Sequence, residues 1–130
     1  MPETNALRGG ELNAAISKAV VRSFSDYIGL GPTKARTSIR DDLVVCLLEN
    51  GLTKAERSLV AAGREQLVLD TRSALQSTMR SDLVAAVERL TERRVIAFMS
   101  DNHIDPDVGT ETFLLQPALG TASGNGAGPS

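Results

Sequence analysis

The chain contains one histidine and one cysteine, and these two residues limit the acid–base and thiol chemistry that it could perform. His103 is the only side chain whose ordinary pKa lies near neutrality, so a general acid or base would first be sought there. It lies in a segment of turn-forming residues, 101–109, and no serine or cysteine nucleophile can be paired with it by spacing. Cys46 lies in the most apolar stretch, where burial raises the pKa of a thiol and blocks access to it. We therefore predict no catalytic residue, and a protein that is not an enzyme.

The segment 101–107 has Asp or His at every second position, like the first half of a calcium-binding loop. The sixth and twelfth positions of such a loop require Gly and Glu, whereas this chain has Pro106 and Thr112 there. A zinc site is also incomplete, because no Cys pair and no second His could close it. We predict a solvated turn at this segment, with no metal and no other cofactor.

A basic strand follows the turn Gly29-Leu-Gly31-Pro32. Backbone amides of such a turn and nearby guanidinium groups can hold phosphate, bicarbonate or a lipid headgroup. In the alternative interpretation, the arginines of this strand pair with neighbouring carboxylates or are simply solvated. The candidate anion-binding residues are Lys34, Arg36 and Arg40.

Composition excludes several classes of protein. Fourteen basic and sixteen acidic residues give a net charge of −2, so no global positive field attracts nucleic acid or anionic lipid. The longest apolar run, Leu43–Leu48, is far shorter than the roughly 20 residues of a membrane-spanning helix. The start, Met-Pro-Glu-Thr, lacks the basic and apolar regions of a signal peptide. We predict a cytoplasmic protein with no nucleic-acid partner and no direct insertion into a membrane.

The elements that would position these residues follow from the spacing of apolar side chains. Apolar residues at steps of three and four predict a helix over 11–28, ending at the glycines that follow. Residues 34–49 alternate and then become continuously apolar, which predicts two strands. If Asp41-Asp42 is a two-residue turn, Ile39 faces Val44, Thr37 faces Cys46 and Ala35 faces Leu48. One long strand with a bulge at Asp41-Asp42 is the alternative.

The second half of the chain predicts two helices and two more strands. Thr53-Lys-Ala-Glu56 is a capping box that starts a short helix, and a longer helix then runs from about Arg64 to Thr91. Strands are predicted over 94–100 and 110–116. We interpret the apolar stripe of the long helix as core rather than as a surface for a partner helix. The stripe consists of Val68, Leu75, Met79, Leu83, Val87 and Leu90. The predicted polar face of the helix consists of Asp70, Arg72, Arg80, Glu88 and Arg89.

This order, α-β-β-α-α-β-β, favours an α+β fold, a two-layer sandwich with helices packed on a four-stranded, mainly antiparallel sheet. We predict a flexible N-terminus over 1–9, a single domain over 10–117 and a disordered tail rich in Gly, Ala and Ser over 118–130. The second strand is apolar on both faces. Helices can cover one face; the other is a candidate interface with a second copy or a partner, unless a helix covers it too. The candidate interface residues are Leu43, Val45 and Leu47.

Three segments, in this order and spacing, resemble a known family. They are the turn 29–32 before a basic strand, the segment 39–45 running into 52–56, and a long helix ending at Thr91 before the strand 95–101. Together they are similar to the MpsC-like family, a small soluble component of a Na⁺-translocating, membrane-potential-generating system. The resemblance covers about residues 10–117.

The resemblance implies that the chain is an accessory protein of a cation-coupled or inorganic-carbon uptake complex in a membrane. Its partners would be a proton-pump-like membrane subunit and a carbonic-anhydrase-like cytosolic subunit. The family offers no catalytic residue that could be carried onto this sequence. The segment 103–107 departs from the compact Thr- and Gly-containing turn of the relatives.

We therefore expect a non-enzymatic accessory or regulatory module that acts by protein–protein docking. It would form a homo-oligomer, and a protein partner could hold it at the inner face of the membrane. The alternative is a small anion- or metabolite-sensing domain that uses the basic strand Lys34–Arg40.

Overall fold

A computed structural model describes residues 7–117. The described chain forms three helices and one sheet of four antiparallel strands, in the spatial order β1-β2-β4-β3. The predicted α+β fold is therefore confirmed. In chain order, the elements are α1 (Gly9–Ile28), β1 (Lys34–Arg40), β2 (Leu43–Glu49), α2 (Lys54–Ala61), α3 (Glu65–Thr91), β3 (Val95–His103) and β4 (Val108–Leu115).

Helix α1 begins at Gly9, slightly before the predicted start at Glu11. It ends where Gly29 takes a left-handed conformation with φ of 92°, and the Gly29 N–H bonds back to the carbonyl of Ser25. Glycine suits this position because it has no Cβ to clash with the backbone. Most of the predicted flexible N-terminus, and all of the predicted tail over 118–130, lies outside the described residues.

Strands β1 and β2 form a hairpin in the predicted register. Thr37 pairs with Cys46, and the pairs on either side follow the same register along both strands. Asp41 has a positive φ of 55°, which aspartate tolerates better than most residues. Asp41-Asp42 is therefore a two-residue turn, and the alternative of one bulged strand is wrong.

The capping box at the start of α2 is present. The Thr53 hydroxyl accepts from the Glu56 N–H at 3.1 Å, and the Glu56 carboxylate accepts from the Thr53 N–H at 2.8 Å. These two bonds satisfy backbone donors that a helix N-terminus otherwise leaves unpaired. The helix that they start ends at Ala61, and α3 then begins at Glu65.

The predicted connection over 101–109 is too long, because β3 continues to His103. Residues 101–103 pair with residues 108–110 of β4, so hydrogen bonding between the strands carries on past the predicted end. Only residues 104–107 form the turn. Turn-forming residue types at 101–103 favoured a loop, but the antiparallel pairing with β4 decides the outcome.

Helices α1 and α3 pack on one face of the sheet, and their apolar faces form a core with β2 and β4. The interpretation of the α3 stripe as core is confirmed, because Met79, Leu83 and Val87 are buried in it. The remaining members of this buried cluster are Ile16, Val20, Phe24, Val44, Cys46, Leu48, Phe113 and Leu115.

One assignment on α3 is wrong. Arg72 was expected on the polar face, yet it is buried, as is Gln76 one turn further along. Both occupy the wide interval between Val68 and Met79 on the stripe that faces the sheet. At this end of α3 the helix therefore presents polar side chains to the sheet.

Candidate functional site

A polar cluster lies at one end of the interface between α3 and the sheet. Glu111 of β4 is fully buried there. Its carboxylate accepts from the Ser100 hydroxyl at 2.6 Å and from the Gln76 amide at 2.9 Å. Gln76 and Asn102 also exchange amide hydrogen bonds, at 2.7 and 3.2 Å. Strand β3 and helix α3 therefore enclose this carboxylate with hydrogen-bond donors from both sides.

Burial changes the acidity of this carboxyl group. Burial raises the pKa of Glu111 to about 7. The hydrogen bonds from Ser100 and Gln76 and the charge of Arg72 lower this pKa, but burial outweighs them. An apolar surrounding disfavours the charged form of an acid. Glu111 therefore changes its protonation state near neutral pH.

A second polar contact joins α3 to the connection between β2 and α2. The Arg72 guanidinium donates to both carboxylate oxygens of Glu56, at 2.7 and 2.6 Å, and also to the carbonyl of Gly51. It lies 6.0 Å from the centre of the Phe24 ring. Burial pushes the pKa of Glu56 upward, but the bonds from Arg72 and Thr53 outweigh it and hold that pKa below its usual value.

The roles of Arg72, Gln76 and Glu111 were not predicted, although the sequence carries two signals for them. The predicted stripe of α3 had no member between Val68 and Leu75, and Arg72 fills that interval at helical spacing. Glu111 alternates with Phe113 and Leu115 along β4, which places it on the same buried face. A carboxylate at such a position needs partners from other elements, and the sequence does not indicate them.

The opposite face of the sheet carries no helix from residues 7–117; we call it the open face. On the two central strands of this face, at the end next to the Asp41-Asp42 turn, Leu43 is 40% exposed and Leu114, its partner on β4, is 36% exposed. Met99 of β3 is 53% exposed, and Val45 and Leu47 are half-buried. By strand alternation and register, the face also includes Arg36, Ser38, Arg40, Thr110, Thr112, Ala97 and Asp101.

The candidate interface residues Leu43, Val45 and Leu47 thus lie together on the open face. Their neighbours Val44, Cys46 and Leu48 point into the core, so β2 is apolar on both sides. A strand in an antiparallel sheet with one solvated face usually alternates between apolar and polar residues. The apolar residues of β2 on the open face therefore depart from the ordinary pattern.

The candidate anion-binding residues Lys34, Arg36 and Arg40 lie on β1 and are exposed. Lys34 lies 3.9 Å and Arg36 3.4 Å from the Glu49 carboxylate of the neighbouring strand. Within residues 7–117, Arg40 forms no ion pair. The basic strand is therefore partly neutralised by Glu49, and Arg40 is its free cation within that range.

The segment 101–107 is held by contacts with the backbone. The Asp107 carboxylate accepts from the N–H groups of Gly51 and Leu52, at 3.3 and 3.0 Å. His103 is exposed, and its Nδ1 lies 2.9 Å from the Pro106 carbonyl oxygen. In the described part of the chain, no three His, Cys, Asp or Glu residues are grouped so as to hold a metal ion.

Comparison with known proteins places these features in a family. The family described as "Na+-translocating membrane potential-generating system (MpsC)" matches residues 8–117. This chain belongs to the MpsC family. Membership connects it with a Na⁺-translocating system that generates a membrane potential. The matched range includes both the open face and the buried polar cluster around Glu111.

A relative of this MpsC chain is found in Bacillus subtilis (strain 168). It carries the description "Uncharacterized protein YbcI" and is 28% identical over 93 residues, which cover 71% of this chain and 75% of the relative. No solved structure matches the chain. Among the residues described for this MpsC chain, no helix combines the length and apolar character needed to cross a membrane.

Proposed function

We propose that the chain is a non-enzymatic accessory module of a Na⁺-translocating, membrane-potential-generating system. It acts by docking through its open face onto a protein subunit of that system, and so assembles or regulates it. A subunit in the membrane would then hold the module at the inner membrane surface. The observation that carries the proposal is the group of exposed apolar residues on the open face, which consists of Leu43, Leu114 and Met99 with Val45 and Leu47. Family membership supplies the identity of the system.

The exposed apolar residues of the open face favour a covering protein. Leu43, Leu114 and Met99 expose between 36% and 53% of their surface, and Val45 and Leu47 lie among them. Removing apolar surface from water is favourable by about 25 cal/mol per Å². A contiguous patch of this kind on a sheet is typical of a protein–protein contact, whereas single exposed apolar residues are ordinary.

Charges at the two edges of the open face restrict what can cover it. Arg36 and Arg40 flank the exposed apolar residues on the β1 side, and Asp101 flanks them on the β3 side. Glu49 lies 3.4 Å from Arg36, whereas Arg40 has no ion pair within residues 7–117. The subunit that fits best presents an apolar patch with a carboxylate placed to meet Arg40. Complementary charge of this kind fixes orientation and suppresses wrong partners.

The experiment is purification of the tagged protein from gently solubilised native membranes, with co-purified proteins identified by mass spectrometry. Leu43→Asp places a charge among the exposed apolar residues of the open face. Leu67→Asp is the matched control, since Leu67 is 41% exposed on α3 and Leu43 is 40% exposed on the sheet. We expect wild type and Leu67→Asp to retain an identified membrane subunit of the system, and Leu43→Asp to lose it.

Two results would overturn the proposal. One is recovery of the subunit with Leu43→Asp at the wild-type level, which would place the docking surface elsewhere. The other is recovery of further copies of this chain alone, while the membrane subunits are detectable in the same preparation. A second copy would then cover the open face.

A further inference from the structure

A polar pocket lies between α3 and β3, on the outer side of the buried polar cluster. Its volume is about 200 Å³, well above the roughly 10–15 Å³ that a cavity needs to hold one water molecule. The pocket residues that belong to α3 are three or four positions apart, so they lie on one side of that helix. The lining consists of Ser73, Gln76, Ser77, Arg80, Phe98 and Ser100.

Hydrogen-bond donors dominate this lining. Three serines and one arginine line the pocket, and Arg80 is the only charged residue among the six. A carboxylate, phosphate, sulfate or similar oxyanion accepts bonds from such donors, and a guanidinium strengthens the contact through its charge. A cation would find no carboxylate in the lining itself. The pocket therefore suits a small oxyanion.

Arg80 is exposed and lies against an aromatic ring, and its charge remains available. Its guanidinium lies 5.5 Å from the centre of the Phe98 ring, a distance at which a cation is attracted to the ring face. No carboxylate within residues 7–117 forms an ion pair with it. A side chain that is already positioned loses less conformational freedom when a ligand binds.

The Glu111 carboxylate lies behind Ser100, on the side away from the pocket. While Glu111 is ionised, its negative charge repels an anion in the pocket. The Ser100 hydroxyl now donates to the Glu111 carboxylate at 2.6 Å, so its hydrogen points away from the pocket. If Glu111 takes up a proton from solvent, its own O–H can donate to Ser100 Oγ. The Ser100 hydrogen can then turn toward the pocket, and the negative charge behind the wall is gone.

The other groups around Glu111 do not supply this proton switch. Arg72 of α3 is a cation, but it is bound to Glu56 of α2. Cys46 is opposite Glu111 on β2, and burial raises the pKa of its thiol. Gln76 is neutral, and the buried side chains of α1 are all apolar. Glu111 is thus the group that can titrate behind this pocket near neutral pH, since burial raises its pKa to about 7.

We propose that this pocket binds a small oxyanion through Arg80 and the hydroxyls of Ser73, Ser77 and Ser100, with uptake of one proton by Glu111. The site lies on the helix side of the sheet, so it does not depend on docking at the open face. It is also separate from the basic strand Lys34–Arg40.

Sulfate is the probe, because its charge stays constant across the pH range of interest. Binding is measured by calorimetry at pH 6 and pH 8.5, with chloride at equal ionic strength as the blank. We expect the affinity for sulfate to be at least tenfold weaker at pH 8.5 than at pH 6. At pH 8.5 Glu111 is mostly ionised in the free protein, so it must first take up a proton. Arg80→Gln should abolish binding at both pH values. Arg89→Gln, an exposed arginine on the same helix but outside the pocket, should leave it unchanged.

Three further variants identify the titrating group and the site. Glu111→Gln mimics the protonated acid and should bind sulfate with equal affinity at both pH values. His103→Gln should keep the wild-type pH dependence, which excludes the histidine as its source. Arg36→Gln should bind like wild type, because it lies on the basic strand outside the pocket. If Glu111→Gln does not fold, the wild-type pH series and Arg80→Gln still decide the question.

The proposal is overturned if folded wild-type protein binds no more sulfate than chloride at either pH. It is also overturned if Arg36→Gln, and not Arg80→Gln, abolishes binding, because the anion would then lie on β1. Equal wild-type affinity at pH 6 and pH 8.5 would disprove the proton uptake.

Discussion

Arg72 and Glu56 form a two-point ion pair that links the first third of α3 to the start of α2. The guanidinium Nε and Nη2 lie 2.7 and 2.6 Å from the two carboxylate oxygens. The same carboxylate accepts the Thr53 N–H and so completes the capping box. One buried cation therefore fixes both the helix start and the preceding loop, whose Gly51 carbonyl it also contacts.

Replacement of Arg72 by Met should lower the free energy of unfolding by about 3 kcal/mol. Loss of one partner of a buried ion pair leaves the other charge poorly compensated, which typically costs about 3–5 kcal/mol. Glu56 keeps its bonds to Thr53, so the lower end of that range is expected. Urea unfolding measures the change. Arg89→Met, an exposed arginine on the same helix, should stay within about 0.5 kcal/mol of wild type. Equal effects of the two variants would contradict the assignment.

Glu111 should make the protein less stable as the pH rises toward neutrality. The folded state raises the pKa of Glu111 from 4.5 to about 7, so it binds this proton more tightly than the unfolded chain does. Its favourable contribution is complete below about pH 4.5 and is lost as the pH passes through about 7. One pKa unit corresponds to about 1.4 kcal/mol, so the loss amounts to about 3 kcal/mol.

Glu111→Gln removes this titration and tests the prediction. Urea unfolding from pH 4 to pH 8 should show a gain in stability of the variant relative to wild type as the pH rises. Glu65→Gln, at an exposed carboxylate on α3, should follow the wild-type curve. Parallel curves for Glu111→Gln and wild type would show that Glu111 does not change its protonation state on folding.

Asp107 should anchor the turn between β3 and β4 to the loop before α2. Its carboxylate accepts from the N–H groups of Gly51 and Leu52, and hydrogen bonds to a charged group contribute about 1.5–3 kcal/mol. Asp107→Ala should therefore destabilise the protein by about 2 kcal/mol in urea unfolding. Asp105→Ala, in the same turn but exposed, serves as the control and should change stability little. A larger effect at Asp105 than at Asp107 would refute this anchoring role.

The thiol of Cys46 should react only when the protein unfolds. It is fully buried between the helices and the sheet, and burial raises its pKa. A thiol reagent should therefore label the native protein slowly, at a rate that rises with urea in parallel with unfolding. Fast labelling in native buffer would mean that β2 opens locally without global unfolding.

The sequence predicted the register of β1 and β2 for the case that Asp41-Asp42 is a two-residue turn, because such a turn leaves the pairing little freedom. It left open whether the turn or a bulged single strand forms there, and the structure decides for the turn. The sequence also predicted the capping box, since Thr53 and Glu56 interact over a short stretch of chain. Local signals of this kind need no knowledge of distant elements. The same holds for the end of α1 at Gly29.

The buried polar cluster could not be predicted in the same way. Arg72, Gln76 and Glu111 are residue types that are seldom buried, and each is stabilised here by partners from a different element. The length of β3 likewise depends on its pairing with β4, which overrides the turn-forming residues at 101–103. Tertiary contacts, not local preference, place the groups on which the proposed anion site depends.

The most direct test of the proposed function is photo-crosslinking from single positions in cells. A photoreactive amino acid at position 45 lies on the open face, and one at position 67 lies on α3 as the control. We expect position 45 to crosslink to an identified membrane subunit of the Na⁺-translocating system and position 67 not to do so. Crosslinks from position 45 to other copies of this chain only, or to the subunit equally from both positions, would contradict docking of that subunit on the open face.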